Sequence, residues 1–227
     1  NKASFIYASS ASVYGAGPVF RESPEYESPL NVYAYSKFQF DNYVRRIYDE
    51  RTAHIVGLRY FNVYGDREQH KGRMASVAYH FTHQYQETGY VNLFEGIDGY
   101  ENGAQLRDFI SVEDVVDLNL FLFANPAVSG IFNVGTGRCQ SFNDVAVATI
   151  NRCRKNQGEE ALDLTTLQNE NIIRYIDFPE KLKGTYQSFT EADISALRAA
   201  GYTHKFLTVE EGVSRYVGRL LEKLERS

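Results

Sequence analysis

The sequence predicts an α/β chain built on parallel strands, and three stretches carry that prediction. Residues 4–9 read as a buried strand, His54–Tyr60 is β-branched and apolar, and between them residues 31–48 hold one long helix. Strands joined through such a helix run parallel, because the crossover brings the chain back to the same end of the sheet.

After the first strand comes a loop with Pro18, Pro24 and Pro29. In the helix that follows, Phe40, Tyr43, Val44 and Ile47 fall on one side at helical spacing. A helix near 76–86 and a short strand at Val91–Phe94 come next. Ser111-Val112-Glu113-Asp114, Ser141-Phe142-Asn143-Asp144, Thr190-Glu191-Ala192-Asp193 and Thr208-Val209-Glu210-Glu211 read as helix N-terminal caps, the last as the only strict capping box. Behind two of them, Phe142, Val145, Ala146, Thr149, Ile150 and Cys153 trace one helix face, and Val209, Val213, Tyr216, Val217, Leu220, Leu221 and Leu224 another. Gly130–Val134 reads as a strand, and residues 158–171, polar and unpatterned, as a surface loop. No repeat or low-complexity tract is visible.

A chain of 227 residues allows one or two modest domains. Its hydrophobic fraction of 43% is ordinary for a globular protein, and a net charge of -5 argues against nucleic acid as a partner. No apolar run reaches membrane-spanning length, and Asn1-Lys2-Ala3-Ser4 lacks a signal peptide's apolar stretch, so no membrane association is expected. Cys139 and Cys153 are too few and too separated for a disulfide framework or a zinc site. A cytoplasmic location is expected.

The chemistry concentrates in Tyr33 and Lys37, with Ser10 upstream in Tyr7-Ala8-Ser9-Ser10-Ala11-Ser12-Val13-Tyr14-Gly15. Four residues apart on a helix, a phenol and an ammonium share one face. A phenol is a poor base at neutral pH, an adjacent ammonium favours its anion, and a hydroxyl at a strand end can hold the oxygen being deprotonated. An isolated Tyr-x-x-x-Lys is usually plain helix surface. Here the Ser-rich strand end placed before a Pro-marked helix start reverses those odds.

That arrangement resembles the extended short-chain dehydrogenase/reductase family. The likeness continues through Leu58-Arg59-Tyr60-Phe61-Asn62-Val63-Tyr64-Gly65, Arg107-Asp108-Phe109-Ile110 and Asn133-Val134-Gly135-Thr136-Gly137, in the family's order. Within the family, the ADP-glycero-manno-heptose 6-epimerase branch fits best. Its likeness rests on residues 70–78, on Leu93-Phe94-Glu95-Gly96 and on Phe178-Pro179-Glu180-Lys181-Leu182-Lys183-Gly184.

The resemblance implies the C-terminal part of a doubly wound Rossmann-type parallel sheet plus a smaller α/β substrate-binding domain. Residues 1–65 would belong to the first and 66–227 mainly to the second, with about 108–135 returning to the sheet. It further implies a nicotinamide cofactor (NADP or NAD, one per subunit), ADP-heptose as nucleotide-sugar substrate for lipopolysaccharide synthesis, and a homo-oligomer. It gives Tyr33 as base, Ser10 as holder of the reacting oxygen, Lys37 as aid to Tyr33 and ligand of the nicotinamide ribose, and Lys71 as second base. Tyr33, Lys37 and Val63 would meet the cofactor. Asn62, Arg73, His80, Phe94, Glu95, Gly96, Ile97, Arg107 and Tyr186 would meet the substrate, with Arg107 on the diphosphate, where a planar donor fork suits phosphate oxygens.

Other readings are weaker. His80 and His83 lack a third ligand at a recognisable spacing, so no metal is expected. Gly135-Thr136-Gly137 lies between a strand and a helix, but Gln140 stands where a dinucleotide fingerprint needs its third glycine, so it reads as a tight turn. A UDP-hexose 4-epimerase is the nearest rival. A 4,6-dehydratase would need an Asp-Glu pair where this chain has Ala11 and Ser12, and a non-catalytic binding protein would typically lack the Tyr or the Lys. The strand, Gly-rich turn and helix that open a dinucleotide domain are not in the sequence, so the chain is expected to be the C-terminal portion of a longer enzyme and inactive, a cofactor-free piece, on its own.

Overall fold

Strand β1 (Ser4–Ser10) leads through a proline-bearing loop to helix α1 (Val32–Ile47), which returns the chain to strand β2 (His54–Tyr60). A computed structural model describes residues 3–50, 53–184 and 186–225; the reading of Asn1 and Lys2 lies outside them. After β2 come β3 (Asn62–Tyr64), α2 (Val77–Thr88), β4 (Val91–Phe94), β5 (Leu106–Arg107) and β6 (Phe109–Ser111). Then follow α3 (Val112–Ala124), β7 (Gly130–Val134), β8 (Gln140–Ser141), α4 (Phe142–Asn156) and α5 (Leu164–Asn169). The chain finishes with β9 (Ile173–Ile176), α6 (Ser195–Ala199) and α7 (Val209–Leu224).

β1, β2 and β7 form a parallel sheet in that order, as the alternation of strand and helix requires. The short parallel pairs β3–β6 and β4–β9 and the antiparallel pair β5–β8 stand apart from it. Val56, Leu58, Phe132 and Val134 from the sheet pack with Leu118 and Leu122 of α3 and Leu197 of α6 into one core. A second core joins α2, α4 and α7 to β4 and β9 around Phe81, Leu93, Ile150, Ile173 and Val217. A cavity lined in part by Phe81 and Leu93 lies against this second core.

Local chemistry explains the helix starts. Asn31, Ser76 and Ser111 each accept a backbone N–H from the first turn of the helix behind them. Thr208 and Glu211 form the expected reciprocal box. So do Ser141 and Asp144, because a carboxylate one methylene shorter than Glu still reaches back; the expectation of a single box is corrected.

Four further expectations are corrected. Thr190 starts no helix, since its hydroxyl accepts from the Asp108 N–H, and α6 begins at Ser195 without a side-chain cap. Residues 158–171 are not all loop, because Asp163 caps α5 and Leu167 anchors it in the core. β1 is only half buried, with Phe5 at 49% exposure. In α1 the buried face is Ala34, Asp41 and Val44, while Phe40 and Tyr43 turn outward; a polar residue, Asp41, takes the place that apolar spacing gave to aromatics.

Candidate active site

Ser10 closes β1 and caps the 3₁₀ turn Ala11–Tyr14, its Oγ accepting from the Ser12 amide at 3.2 Å and the Ser12 hydroxyl at 2.9 Å. Tyr33 stands on the first turn of α1 with 57% of its surface exposed. One turn later Lys37 donates from Nζ to the carbonyl of Ala8 at 2.9 Å, and the same nitrogen lies 5.8 Å from the Tyr33 ring centroid. Helix and strand end are thus tied to each other beside the phenol.

Beneath them lies a buried charge cluster. Asp41, two turns along α1 from Tyr33, accepts from the Tyr7 hydroxyl, the Ser9 hydroxyl and Arg59 Nε, each at 2.9 Å. Arg59 also donates to Glu27 at 2.6 Å and lies 4.9 Å from the Tyr14 ring centroid. Glu27 in turn holds Arg45. Burial pushes the Glu27 carboxyl up, but the guanidiniums of Arg45 and Arg59 outweigh it and hold the group below its ordinary range. One cluster therefore joins β1, β2, α1 and the loop between Ser10 and Tyr33.

A cavity of about 620 Å³ opens between α2, β4 and the β5 region, and Asn62, His80, Phe94, Arg107 and Tyr186 all line it. Arg107 is 6% exposed, between the rings of Tyr186 at 4.6 Å and Phe142 at 5.9 Å. Its hydrogen bond goes to its own neighbour, the Leu106 carbonyl, and no carboxylate pairs with it among the described residues. Burial pushes its pKa below the usual arginine value. A buried cation without a carboxylate is costly, and its donor fork is chemically able to pair with an anion.

Asp108 does not pair with Arg107. It faces the other way and accepts the amides of Thr136, Gly137 and Ala192, so the Gly135–Gly137 turn serves a buried carboxylate. A smaller cavity of about 210 Å³ shares Arg107 and Tyr186 and reaches Ser12 and Asn31, linking the surroundings of Arg107 to the start of α1. Gln187 donates to the Gly15 carbonyl across the same gap.

The other expected residues stand elsewhere. Lys71 and Arg73 sit exposed on the 3₁₀ stretch Gln69–Met74, away from the cavity wall. That stretch is pinned at its ends, by Glu68 accepting from Ser76 and by Asp66 accepting from Arg219 and Lys223. Glu95, Gly96 and Ile97 continue β4 into a turn closed by Asn102 and Tyr100 and do not line the cavity. Val63 packs against the sheet core. His83 lies against the Tyr79 ring, 4.4 Å between centroids. Gln84, Asn92 and Phe142 line the cavity without having been foreseen; Gln84 was legible as one turn beyond His80, Asn92 as the same strand face as Phe94.

The NAD dependent epimerase/dehydratase family matches residues 1–135, more than half of the chain. The chain belongs to that family. The ADP-L-glycero-D-manno-heptose-6-epimerase of Thiobacillus denitrificans is 66% identical over 97% of this chain, which spans 66% of that relative's length. The crystal structure of Helicobacter pylori ADP-L-glycero-D-manno-heptose-6-epimerase superposes with a TM-score of 0.73 at 31% identity, over 96% of this chain and 60% of the other. The UDP-glucose 4-epimerase of Thermus thermophilus, in complex with NAD, gives 0.68 at 25% identity, over 93% and 62%. Among the described residues no helix is long and apolar enough to cross a membrane.

Proposed function

We propose that this chain is the substrate-binding and catalytic part of an ADP-glycero-manno-heptose 6-epimerase, which inverts C6 by transient oxidation to supply heptose for lipopolysaccharide. The observation that carries this reading is buried Arg107, without a carboxylate partner among the described residues, shared by the larger cavity and by a smaller one that reaches Ser12 and Asn31, the neighbours of Ser10 and of the start of α1. The 66% identity to a heptose epimerase supports the sugar assignment.

The residues present fit a nicotinamide nucleotide on the open side of α1. Lys37 uses one donor on Ala8 and keeps two, enough for ribose hydroxyls, beside a small cavity lined by Tyr7, Ala8, Ser36 and Phe40. When bound, NADP or NAD supplies the hydride acceptor and donor. Tyr33, as the phenolate, takes the proton of the C6 hydroxyl, and Ser10 donates to that oxygen and holds it. Lys37, with its ammonium 5.8 Å from the Tyr33 ring centroid, would tie the nicotinamide ribose to the same helix face. Proton exchange for the opposite epimer falls to Lys71, which stands exposed on the stretch pinned by Asp66 and Glu68 and would have to be brought from there to the cavity. Arg107 binds the diphosphate in its donor fork and fixes the sugar's distance from Tyr33.

The chain spans 66% of the Thiobacillus denitrificans relative's length, and the Gly-rich pyrophosphate-binding turn of a dinucleotide domain is not in its sequence. On that reading the 227-residue chain alone neither holds the cofactor tightly nor turns over. The test is the chain joined behind the N-terminal segment of the Thiobacillus denitrificans relative, assayed by NMR of the sugar protons with ADP-heptose and with UDP-galactose. Inversion of ADP-heptose at C6, lost in Lys71→Met, is the expected result. Efficient C4 inversion of UDP-galactose would instead make it a UDP-hexose 4-epimerase, and unimpaired C6 inversion in Lys71→Met would remove Lys71 from the mechanism.

A further inference from the structure

The cavity has a direction. From Arg107 the contacts run to Tyr186, from Tyr186 to Phe178 (5.1 Å between centroids) and from Phe178 to Phe94 (5.5 Å). Two residues back on the same face of β4, roughly 6.6 Å along the strand, stands Asn92. Beside it is Gln84 of α2, whose Oε1 accepts the Asn92 backbone N–H at 3.0 Å. Both side chains are half-buried and line the cavity. Among the described residues, the Asn92 carboxamide and the Gln84 Nε2 make no hydrogen bond. Two carboxamides with open donors and an open acceptor thus face the end of an apolar cavity whose other end is a buried cation. Tyr90, under the Arg174 guanidinium at 3.4 Å, also lines this end.

We propose that the Asn92 carboxamide, with Gln84 Nε2 beside it, hydrogen-bonds the polar edge of the nucleobase and so selects a purine nucleotide over a pyrimidine one. This rests on the nucleotide-sugar reading above and names the residues that set its base preference. A base stacked on Phe94 with its diphosphate on Arg107 presents its far edge toward Asn92. A purine carries a second ring in that direction and reaches the carboxamide; a pyrimidine stops short, and both amides stay unpaired beneath it. Failing to satisfy a polar group built to be bonded is what gives such a site its discrimination. The direction of the cavity fixes which base edge is read: the one remote from the ribose, where a carboxamide's adjacent donor and acceptor complement adenine's ring nitrogen and amino group.

The experiment is calorimetric titration of the 227-residue chain with ADP, UDP and inorganic pyrophosphate, for wild type, Asn92→Leu and Gln84→Leu, with melting curves to show that each variant is folded. Wild type is expected to bind ADP about tenfold or more tighter than UDP. Asn92→Leu should weaken ADP about tenfold, leave UDP within about twofold and leave pyrophosphate unchanged. Gln84→Leu should act in the same direction on ADP alone. An ADP-to-UDP ratio unchanged in both variants overturns this inference and leaves the nucleotide-sugar reading standing. Failure of the folded wild type to bind any of the three probes overturns that reading and this inference with it.

Discussion

Asp41→Asn removes one charge from a carboxylate with no exposed surface. The amide can keep its oxygen toward Ser9 and Arg59 and turn its nitrogen to the Tyr7 hydroxyl, which can accept as well as donate. Shape and hydrogen-bond count are then preserved, and the loss isolates the charge. Removing one partner of a buried ion pair costs about 3–5 kcal/mol, and because Glu27 still faces Arg59 the lower figure, about 3 kcal/mol, applies. For a chain of this length each kcal/mol lowers the melting temperature by about 2–4 °C, so a fall of about 6–12 °C is expected. Urea and thermal melts followed by far-UV circular dichroism and by tyrosine fluorescence measure it. A change below about 0.5 kcal/mol, the range of plain surface substitutions, would refute the claim that this cluster locks α1 against the strand end carrying Ser10.

Arg107→Met removes a buried cation that has no carboxylate partner among the described residues, so stability should stay level or rise, by up to about 4 kcal/mol, while ADP binding falls more than about tenfold. A lower melting temperature with ADP binding intact would contradict the anion-site reading. Glu27→Gln should destabilise the chain at neutral pH. Because the Glu27 carboxyl is held below its ordinary value in the folded chain, the wild-type advantage is complete above about pH 4.3 and shrinks as pH falls through the lower folded value. A gap that widens on acidification would reverse the sign of the argument. In the fused enzyme Tyr33→Phe should cut epimerisation by about 10²–10⁴-fold with cofactor binding kept, measured by sugar NMR and by cofactor fluorescence. Near-normal turnover would remove Tyr33 from the mechanism.

What the sequence revealed follows from how local each signal is. β2, β7 and α7 carry their own periodicity and caps, and the helix starting at Asn31 puts Tyr33 and Lys37 on one face whatever surrounds them. Asn62, His80, Phe94, Arg107 and Tyr186 come from five separate stretches, and the family's motif order pointed to all of them before any contact was known. The partners of Asp108 were not legible, because the carboxylate binds amides 28 and 84 residues away. The Asp41–Arg59–Glu27 cluster was hidden for the same reason, since a polar residue on a helix reads as surface until a buried arginine from another strand is brought to it. α5 escaped notice because one buried residue, Leu167, anchors a helix too short to show a period.

The central claim, inversion of C6 by hydride removal and return within one active site, is tested most directly by isotope. ADP-heptose deuterated at C6 is given to the fused enzyme in ordinary water, and the product is analysed by NMR and mass spectrometry. Inversion with the deuterium still on C6, and none of it exchanged with solvent, is the expected result. Inversion with solvent hydrogen at C6 would mean removal of a carbon-bound proton rather than a hydride, and would contradict the roles given to Tyr33, Ser10 and Lys37.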